Sequence, residues 1–145
     1  HITSPCGDGE GAGMAMQLAL ADAGVCPQDI DYINAHGTST LIGDEAETVA
    51  IKRVFGEHAK SIPVSSTKSM IGHTLGASGG IEAIVCSMSL YHRKIHPTIN
   101  LVTADPACDL DYVPNRSRDL AVRRVISNSF GFGGHNACIV FGAAS

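Results

Sequence analysis

Residues 31–40 have the sequence DYINAHGTST, in which a short apolar segment passes directly into a polar turn. Asp31 to Ala35 has the length and composition of a buried strand. The next five residues are small or polar, as is typical of a turn, and His36 stands first among them. The pattern predicts a strand whose carboxyl end carries a side chain capable of acid–base chemistry.

Helical and strand patterns alternate around this stretch. Helices are predicted where apolar residues recur every three or four positions, at 9–24, 43–55 and about 73–92. Further strands are predicted at 62–64, 121–128 and 137–141, the last two as an antiparallel hairpin. Residues 65–72 are predicted to form a turn and 93–119, which contain three prolines, a long irregular connection. The order αβαβαββ predicts an α/β domain with a mixed sheet.

The composition excludes several classes of protein. The 145 residues are 44% hydrophobic and 17% charged, which excludes a disordered chain. The net charge of −4, with no run of Lys or Arg, argues against a nucleic-acid partner. The apolar stretches fall short of the ~20 residues that cross a bilayer, so no membrane partner is expected.

The cysteines favour reduced thiols over a metal or disulfide framework. There are five of them, they are widely spaced, and no Cys-x-x-Cys pair occurs. No structural zinc or other metal is therefore expected, and the pattern is typical of a cytosol-like compartment. Residues 7–12 fit a loose G-x-G-x-x-A, but Asp8 and Glu10 would repel a pyrophosphate and no strand precedes them. A nucleotide site is not expected either.

Three turns that follow predicted strands carry the chemistry. The first holds His36, the second holds Lys68 and His73, and the third is the segment 130–136, in which Phe130 and Phe132 alternate with glycines. Because the carboxyl ends of parallel strands meet at one edge of a sheet, these turns are predicted to converge. The other histidines, His58, His92 and His96 among them, are predicted to be structural or exposed.

Two neutral histidines that face one carbonyl oxygen would stabilise an enolate or a tetrahedral oxyanion. A nearby Lys68 would help to keep both rings neutral. Glu82 either pairs with Lys68 or lies on a solvated helix face. Asp44 and Glu47, three residues apart, either orient polar groups or only complement the helix dipole. Segment 130–134 forms either an aromatic gate with free backbone N–H groups or a tight hairpin with two core rings.

Three motifs together resemble a known family. Residues 34–40, 66–73 and 128–134 are NAHGTST, STKSMIGH and NSFGFGG. In order and spacing they resemble the C-terminal half of the β-ketoacyl-acyl carrier protein synthases of type II fatty acid synthesis, in particular the synthase II group. Polyketide ketosynthases are less similar, because they would have Gly-Thr-Gly-Thr where residues 37–40 are Gly-Thr-Ser-Thr. A polyketide ketosynthase fragment remains an alternative.

The resemblance implies a thiolase-like fold, an αβαβα duplicate of which residues 1–145 would be the C-terminal half. It implies a parent enzyme that elongates acyl chains by decarboxylative Claisen condensation with malonyl-acyl carrier protein. The family places its nucleophilic cysteine in the N-terminal half, and none of the five cysteines here has that context. The chain is therefore expected to be a fragment that is inactive in condensation alone.

The resemblance also assigns roles to residues. The catalytic residues would be the enolate-stabilising pair His36 and His73, with Lys68 and the gating Phe132. Thr38, Thr40 and Phe130 would bind substrate, the threonines through the phosphopantetheine arm. Supporting residues would be Glu82, Asp44 and Glu47. A monovalent cation near Asn34, Glu82, Ser127 and Asn128 is the one metal that the family suggests.

Other expectations concern partners and location. The chain itself would bind no cofactor, since the phosphopantetheine arm of acyl carrier protein carries the substrate. Acyl carrier protein would be the partner, and the full-length protein would form a homodimer. A bacterial cytoplasm is expected, with plastid or mitochondrion as alternatives. A second hypothesis is a non-catalytic partner subunit of the chain-length-factor type, against which the joint presence of His36, Lys68, His73 and Phe132 argues.

Overall fold

The computed structural model describes residues 8–144, in which α-helices and strands alternate up to residue 65 and are followed by two helices and then four strands. The helices are α1 Glu10–Ala23, α2 Leu41–Phe55, α3 Lys68–Ile71 and α4 Ser78–His92. The strands are β1 Tyr32–Asn34, β2 Val64–Ser65, β3 Lys94–Ile95, β4 Arg118–Asp119, β5 Arg124–Phe130 and β6 Asn136–Gly142. No helix within residues 8–144 is both long and apolar enough to span a bilayer.

The main sheet has the strand order β2-β1-β5-β6. Strands β2 and β5 both run parallel to β1, with Ile33 opposite Val64 on one side and Ile126 on the other. Strand β6 returns antiparallel to β5 and closes the edge. The α/β fold with a mixed sheet and a terminal hairpin is therefore confirmed. Strands β1, β2 and β5 all end at the same edge, and this edge carries the three polar turns.

Two apolar clusters place the helices on opposite faces of the sheet, because successive side chains of a strand point to opposite faces. On one face, Ile33 and Ile126 pack with residues of α1 and α2, namely Met16, Leu20, Ala50, Ile51 and Phe55. On the other face, Tyr32 and Val125 pack with Cys86 of α4 and with Ile95. The domain thus has three layers, with α1 and α2 on one side of the sheet and α4 on the other.

The structure corrects three predicted elements. Residues 65–72 are not only a turn, since they contain α3. Residues 93–119 are not wholly irregular, because β3 and β4 pair antiparallel at their two ends. Thr98 further exchanges backbone hydrogen bonds with Val113 and Asn115, at 3.0 and 2.9 Å. The strand predicted at 62–64 is β2, which begins only at Val64, while Pro63 contributes its carbonyl to Ile33.

Candidate active site

The three polar turns converge at the carboxyl edge of the sheet, as predicted. His36 follows β1, Lys68 and His73 follow β2, and Phe130 ends β5. A cleft of about 1180 Å³ opens beside them, and its lining includes Thr38, Thr40, Lys68, His73 and Thr98.

His36 and His73 face each other. Their ring centroids are 5.5 Å apart and their planes are nearly perpendicular, at 86°. The ring of Phe130 lies 5.6 Å from the His36 ring on another side. His36 is half-buried and His73 is exposed to the cleft side. The predicted meeting of the two imidazoles is therefore confirmed, and a small polar group could contact both.

His36 is held in its neutral form. Burial lowers its pKa to about 4, and the positive charge of Lys68 and the proximity of His73 act in the same direction. A neutral imidazole carries one N–H donor and one acceptor nitrogen. Near neutral pH His36 can thus donate a hydrogen bond without carrying charge.

The turn between α3 and α4 fixes the tautomer of His73. The backbone N–H of Leu75 donates to His73 Nδ1 at 3.1 Å, and Ser78 Oγ lies 3.2 Å from the same atom. Since the backbone N–H can only donate, Nδ1 is the acceptor and a neutral ring carries its proton on Nε2. The turn is tight enough to place Leu75 at a φ of 52°. His73 therefore also offers a single N–H donor.

Lys68 and Glu82 form a buried ion pair beneath the histidines. The Nζ to Oε1 distance is 2.5 Å, and the side chains are only 4% and 1% exposed. This confirms the predicted pair and excludes a solvated face for Glu82. The second carboxylate oxygen, Oε2, is buried without a hydrogen-bond partner among the described residues.

Glu47 anchors the turn that carries His36. Its buried carboxylate accepts hydrogen bonds from the backbone N–H groups of His36 and Gly37, each at 2.9 Å, and from Asn128 Nδ2 at 3.0 Å. Burial raises the pKa of Glu47, while these three donors oppose the shift. A simple surface role for Glu47 is excluded. Asp44, one turn earlier on α2, is half-buried in the cleft wall, and burial raises its pKa as well.

Thr38 and Thr40 lie at the cleft, with their hydroxyl oxygens 3.0 Å apart. A hydrogen bond of 2.6 Å from Ser66 Oγ to the carbonyl of Gly37 ties this turn to the one that follows β2. The two turns that carry the histidines are thus joined directly.

The aromatic segment differs in part from the prediction. The ring in contact with His36 is that of Phe130, whereas the Phe132 side chain is 71% exposed. The alternative of two core rings is therefore wrong for Phe132. It lies in a short helical turn, Phe132–Gly134, in which Gly133 and Gly134 have φ values of 74° and 80°. The Phe132 side chain is therefore not fixed in a core and faces solvent.

The four residues suggested for a cation do not all have their side chains on the same face of the sheet. Asn34, Ser127 and Glu82 surround the Cys86 thiol on the α4 face of the sheet. The Asn128 side chain lies on the other face, where it donates to Glu47 and accepts from Cys138. Within residues 8–144, no three His, Cys, Asp or Glu side chains are grouped as metal ligands. Of these four residues, Asn34 and Glu82 each have one buried side-chain oxygen, Oδ1 and Oε2, without a hydrogen-bond partner among the described residues, and oxygen is the ligand that a hard cation prefers.

The sequence did not reveal a polar cluster just behind the site. His96 contacts the hydroxyls of Tyr32 and Thr67, at 3.1 Å in each case, which agrees with the structural alternative predicted for it and excludes the exposed one. It lies next to buried Ile95 in a Pro-rich segment, and nothing in the local pattern places it against β1 and β2.

Comparison with known proteins agrees with this geometry. The profile of the family described as "Beta-ketoacyl synthase, C-terminal domain" matches residues 1–102. The chain belongs to the β-ketoacyl synthases. It is 60% identical over 141 residues to the 3-oxoacyl-[acyl-carrier-protein] synthase 2 of Staphylococcus aureus, an alignment that covers 97% of this chain and 35% of the relative. The chain thus spans about a third of the length of the curated relatives that it matches.

Solved structures of β-ketoacyl synthases confirm the thiolase-like fold. A type II polyketide synthase ketosynthase, solved in complex with its acyl-carrier protein and bound to the hexaketide, is similar with a TM-score of 0.98 and 41% identity. That match covers 100% of this chain and 36% of the other. A β-ketoacyl synthase from Burkholderia phymatum has a TM-score of 0.93 and 43% identity, and the match covers 100% and 35% of the two chains.

Proposed function

We propose that this chain provides the malonyl-binding part of a 3-oxoacyl-acyl carrier protein synthase, in which His36 and His73 stabilise an enolate. The observation that carries the proposal is the pair of facing imidazoles, one neutral through burial and the other with its proton directed to Nε2. Two neutral donors that converge on one thioester oxygen form an oxyanion hole. The 60% identity to a synthase 2 supports the same reaction.

The chemistry follows from these donors. The C–C bond to the malonyl carboxylate breaks, carbon dioxide leaves, and the electron pair spreads over the α-carbon and the thioester oxygen. The N–H groups of His36 and His73 stabilise the charge on that oxygen. The α-carbon then attacks the carbonyl carbon of an acyl thioester, and the thiolate leaves as the new C–C bond forms. Thr38 and Thr40 would hold the phosphopantetheine arm, Phe130 would pack beside the substrate, and Phe132 would gate access.

Lys68 contributes without touching the substrate. Its ammonium is buried and paired with Glu82, and its charge opposes protonation of His36. An imidazolium at His36 would lose the acceptor nitrogen and add a charge beside Lys68. The ion pair thus favours the donor form that the reaction needs.

The acyl-carrying thiol is assigned to a part of the enzyme outside residues 8–144. Burial raises the pKa of Cys86 and of Cys138 to about 12, and it raises the pKa of Cys108 too. A thiol nucleophile needs a lowered pKa instead. Cys26 is exposed in the connection that leads to the amino-terminal end of β1, whereas the site turns follow the carboxyl ends of the strands. Acyl carrier protein is the proposed donor of both substrates, a partner supported by the solved ketosynthase complex, and a homodimer is proposed for the complete enzyme.

The test uses the complete enzyme that contains this chain. His36→Ala and His73→Ala should each slow decarboxylation of malonyl-acyl carrier protein by ~10²-fold or more, the size of effect seen when one oxyanion donor is removed. His92→Ala, at the exposed end of α4, is the matched control and should leave the rate unchanged. Normal decarboxylation in both site variants would reject the assignment of the two histidines.

A further inference from the structure

A chain of hydrogen bonds runs from β1 to the segment that follows β3. Asn34 Nδ2 donates to Thr67 Oγ1 at 3.0 Å. Thr67 Oγ1 lies 3.1 Å from His96 Nε2, and His96 Nδ1 lies 3.0 Å from the carbonyl oxygen of Pro97. Asn34 is two residues before His36, and Thr67 immediately precedes Lys68. The chain therefore reaches both turns that carry site residues.

The direction of each bond is fixed by chemistry. The carbonyl of Pro97 can only accept, so His96 Nδ1 carries the proton and Nε2 is an acceptor. Thr67 Oγ1 already accepts from Asn34, which leaves its own hydroxyl proton for His96 Nε2. Burial lowers the pKa of His96, in agreement with a neutral ring. His96 thus accepts from Thr67 on one side and donates to the backbone on the other.

A second hydroxyl lies equally near His96 Nε2 and has a shorter hydrogen bond elsewhere. Tyr32 Oη lies 3.1 Å from His96 Nε2 and 2.7 Å from Ser65 Oγ. The shorter bond is the one to Ser65, and Tyr32 is fully buried beside β2. Tyr32 and Ser65 therefore form the wall against which the His96 ring is held.

The residues after His96 follow the turn that holds Lys68. The backbone N–H of Ser66 donates to Thr98 Oγ1 at 3.2 Å, and the N–H of Ile99 donates to Ser69 Oγ at 3.0 Å. Together with the bond to Thr67, these contacts bracket Lys68 on both sides. The position of the Lys68 ammonium thus depends on the segment 96–99 as well as on Glu82.

We propose that His96 is a positioning residue for the site: by accepting a hydrogen bond from the Thr67 hydroxyl it holds the Lys68 turn and, through Asn34, the strand end that carries His36. The inference rests on the proposed function for its kinetic consequence, but the hydrogen-bond chain itself is independent of the reaction. His96 touches no reacting atom and acts through Thr67 and Asn34.

The ring's two roles can be separated with two isosteres in the complete enzyme. His96→Gln places an amide oxygen where Nε2 lies and keeps an acceptor for Thr67. His96→Asn places an amide near Nδ1, so it keeps a donor for the carbonyl of Pro97 but has no acceptor for Thr67. We expect His96→Gln to retain a wild-type kcat for malonyl decarboxylation, while His96→Asn lowers kcat by about fivefold or more with KM changed by less than about twofold.

A double-mutant cycle tests the same bond from its other end. Thr67→Val removes the hydroxyl but keeps the shape, and it should lower kcat about as much as His96→Asn. Because both variants break one bond, the double variant should be no slower than either single variant. The matched controls are His58→Gln and His58→Asn, since His58 is another half-buried histidine, near Ile30 and Ser61, and both should keep the wild-type rate.

A readout without turnover separates this inference from the proposed function. The ¹⁵N shifts of the His36 and His73 rings should move in His96→Asn and Thr67→Val and stay in place in His96→Gln. If His36→Ala and His73→Ala both decarboxylate normally, the proposed function fails, yet these shifts still decide whether His96 positions the site. Unchanged shifts and rates in both His96 variants would overturn the inference. The inference would also be overturned if His96→Gln and His96→Asn lost kcat equally and their unfolding midpoints fell in proportion, because His96 would then act only on folding.

Discussion

His36 is the residue whose protonation state most directly controls the proposed chemistry. Burial, Lys68 and His73 all oppose its protonation and lower its pKa to about 4. An unperturbed histidine titrates at about pH 6.5. We expect the His36 ring in the complete enzyme to titrate at about pH 4 when it is followed by NMR. A titration midpoint at about pH 6.5 would show that the ring is hydrated and would remove the basis for a permanently neutral donor.

The same shift makes stability depend on pH. Between the ordinary histidine pKa and about 4, the unfolded chain binds a proton at His36 that the folded chain does not. The free energy of unfolding should therefore fall as the pH is lowered through this window. Urea denaturation at several pH values measures it. His36→Asn should flatten this part of the curve, and an unaltered slope in that variant would assign the pH dependence to other groups.

The Lys68–Glu82 pair should be costly to break from one side. Glu82→Gln leaves the ammonium of Lys68 buried without its counter-charge, and we expect a loss of about 3 kcal/mol or more in the free energy of unfolding. The double variant Lys68→Met/Glu82→Gln removes both charges and should recover much of that loss. Denaturation of the complete enzyme checks both.

An exposed pair supplies the control for this prediction. Lys60 and Glu57, three residues apart, also form an ion pair, with Nζ 3.0 Å from Oε2. Because both side chains are in solvent, Glu57→Gln should leave the unfolding midpoint unchanged within error. A similar loss in Glu57→Gln and Glu82→Gln would show that burial of the Lys68 pair is not what matters.

At the scale of elements, α1 is held close to α2 at Gly9, the N-cap residue just before α1. Gly9 has a φ of 63°, and a Cβ added there would lie 2.6 Å from the Ala46 carbonyl oxygen and 2.9 Å from the Ala50 nitrogen. Gly24, beyond the other end of α1, has nearly the same φ, 64°, but open space around it. Substituting each glycine in turn therefore distinguishes the cost of backbone strain, which both positions share, from the cost of steric overlap, which only Gly9 has.

Alanine substitutions exploit this matched pair. Gly24→Ala should cost about 1 kcal/mol from the left-handed backbone alone. Gly9→Ala carries the same strain and must also move α1 away from α2, so its loss should exceed that of Gly24→Ala by about 1–3 kcal/mol. Equal losses of unfolding free energy in Gly9→Ala and Gly24→Ala, measured by thermal or urea denaturation, would show that α1 and α2 can move apart without cost.

Elements with strong local patterns could be predicted from the sequence, and those defined by distant pairing could not. The periodic apolar residues predicted α1 and α2 to within two residues at each end, and they predicted the end of α4 but not its start, which is at Ser78 and not near residue 73. Strands β3 and β4 have two residues each and exist only because residues 94–95 pair with 118–119. Helix α3 is a single turn in a segment rich in serine and threonine. A pattern within one segment carries no signal of such partners.

The same limit applies to the candidate site. The order of polar turns after strands predicted that His36 and His73 would meet, because parallel strands end at one edge. The sequence could not show that Phe130 rather than Phe132 lies against His36, since the two rings are only two residues apart at the end of a strand. The sequence also did not show whether the side chains of Glu47 and Glu82 are buried or exposed to solvent. Charge alone does not reveal which face of a helix is covered.

Across the whole molecule, each outer layer contributes one buried carboxylate to the site. Glu47 on α2 holds the backbone of the His36 turn from one face of the sheet. Glu82 on α4 holds Lys68 from the other. The site is thus positioned between two layers that pack independently on the sheet. A shift of either helix would move one half of the site relative to the other, so the integrity of both cores sets the geometry of the histidine pair.

Thiol reactivity reports on this packing and on the assignment of the nucleophile. Cys86 lies in the layer between α4 and the sheet and is fully buried, and burial raises its pKa and that of Cys138 to about 12. At pH 8 roughly one such thiol in ten thousand is a thiolate. Among the cysteines of residues 8–144, iodoacetamide should therefore modify exposed Cys26 first, and Cys86 only when the domain opens globally, as peptide mass spectrometry can show.

The outcome at Cys86 distinguishes local from global opening. In denaturant, Cys26, Cys86 and Cys138 should react at similar rates, because burial no longer separates them. Rapid modification of Cys86 under native conditions would mean that α4 leaves the sheet on its own, and the Lys68–Glu82 pair would break with it. Acyl groups found on Cys86 or Cys138 after incubation with acyl-acyl carrier protein would contradict the placement of the nucleophile outside residues 8–144. Without such acylation, Cys86 and Cys138 are excluded as acyl carriers, in agreement with the proposed nucleophile in another segment of the enzyme.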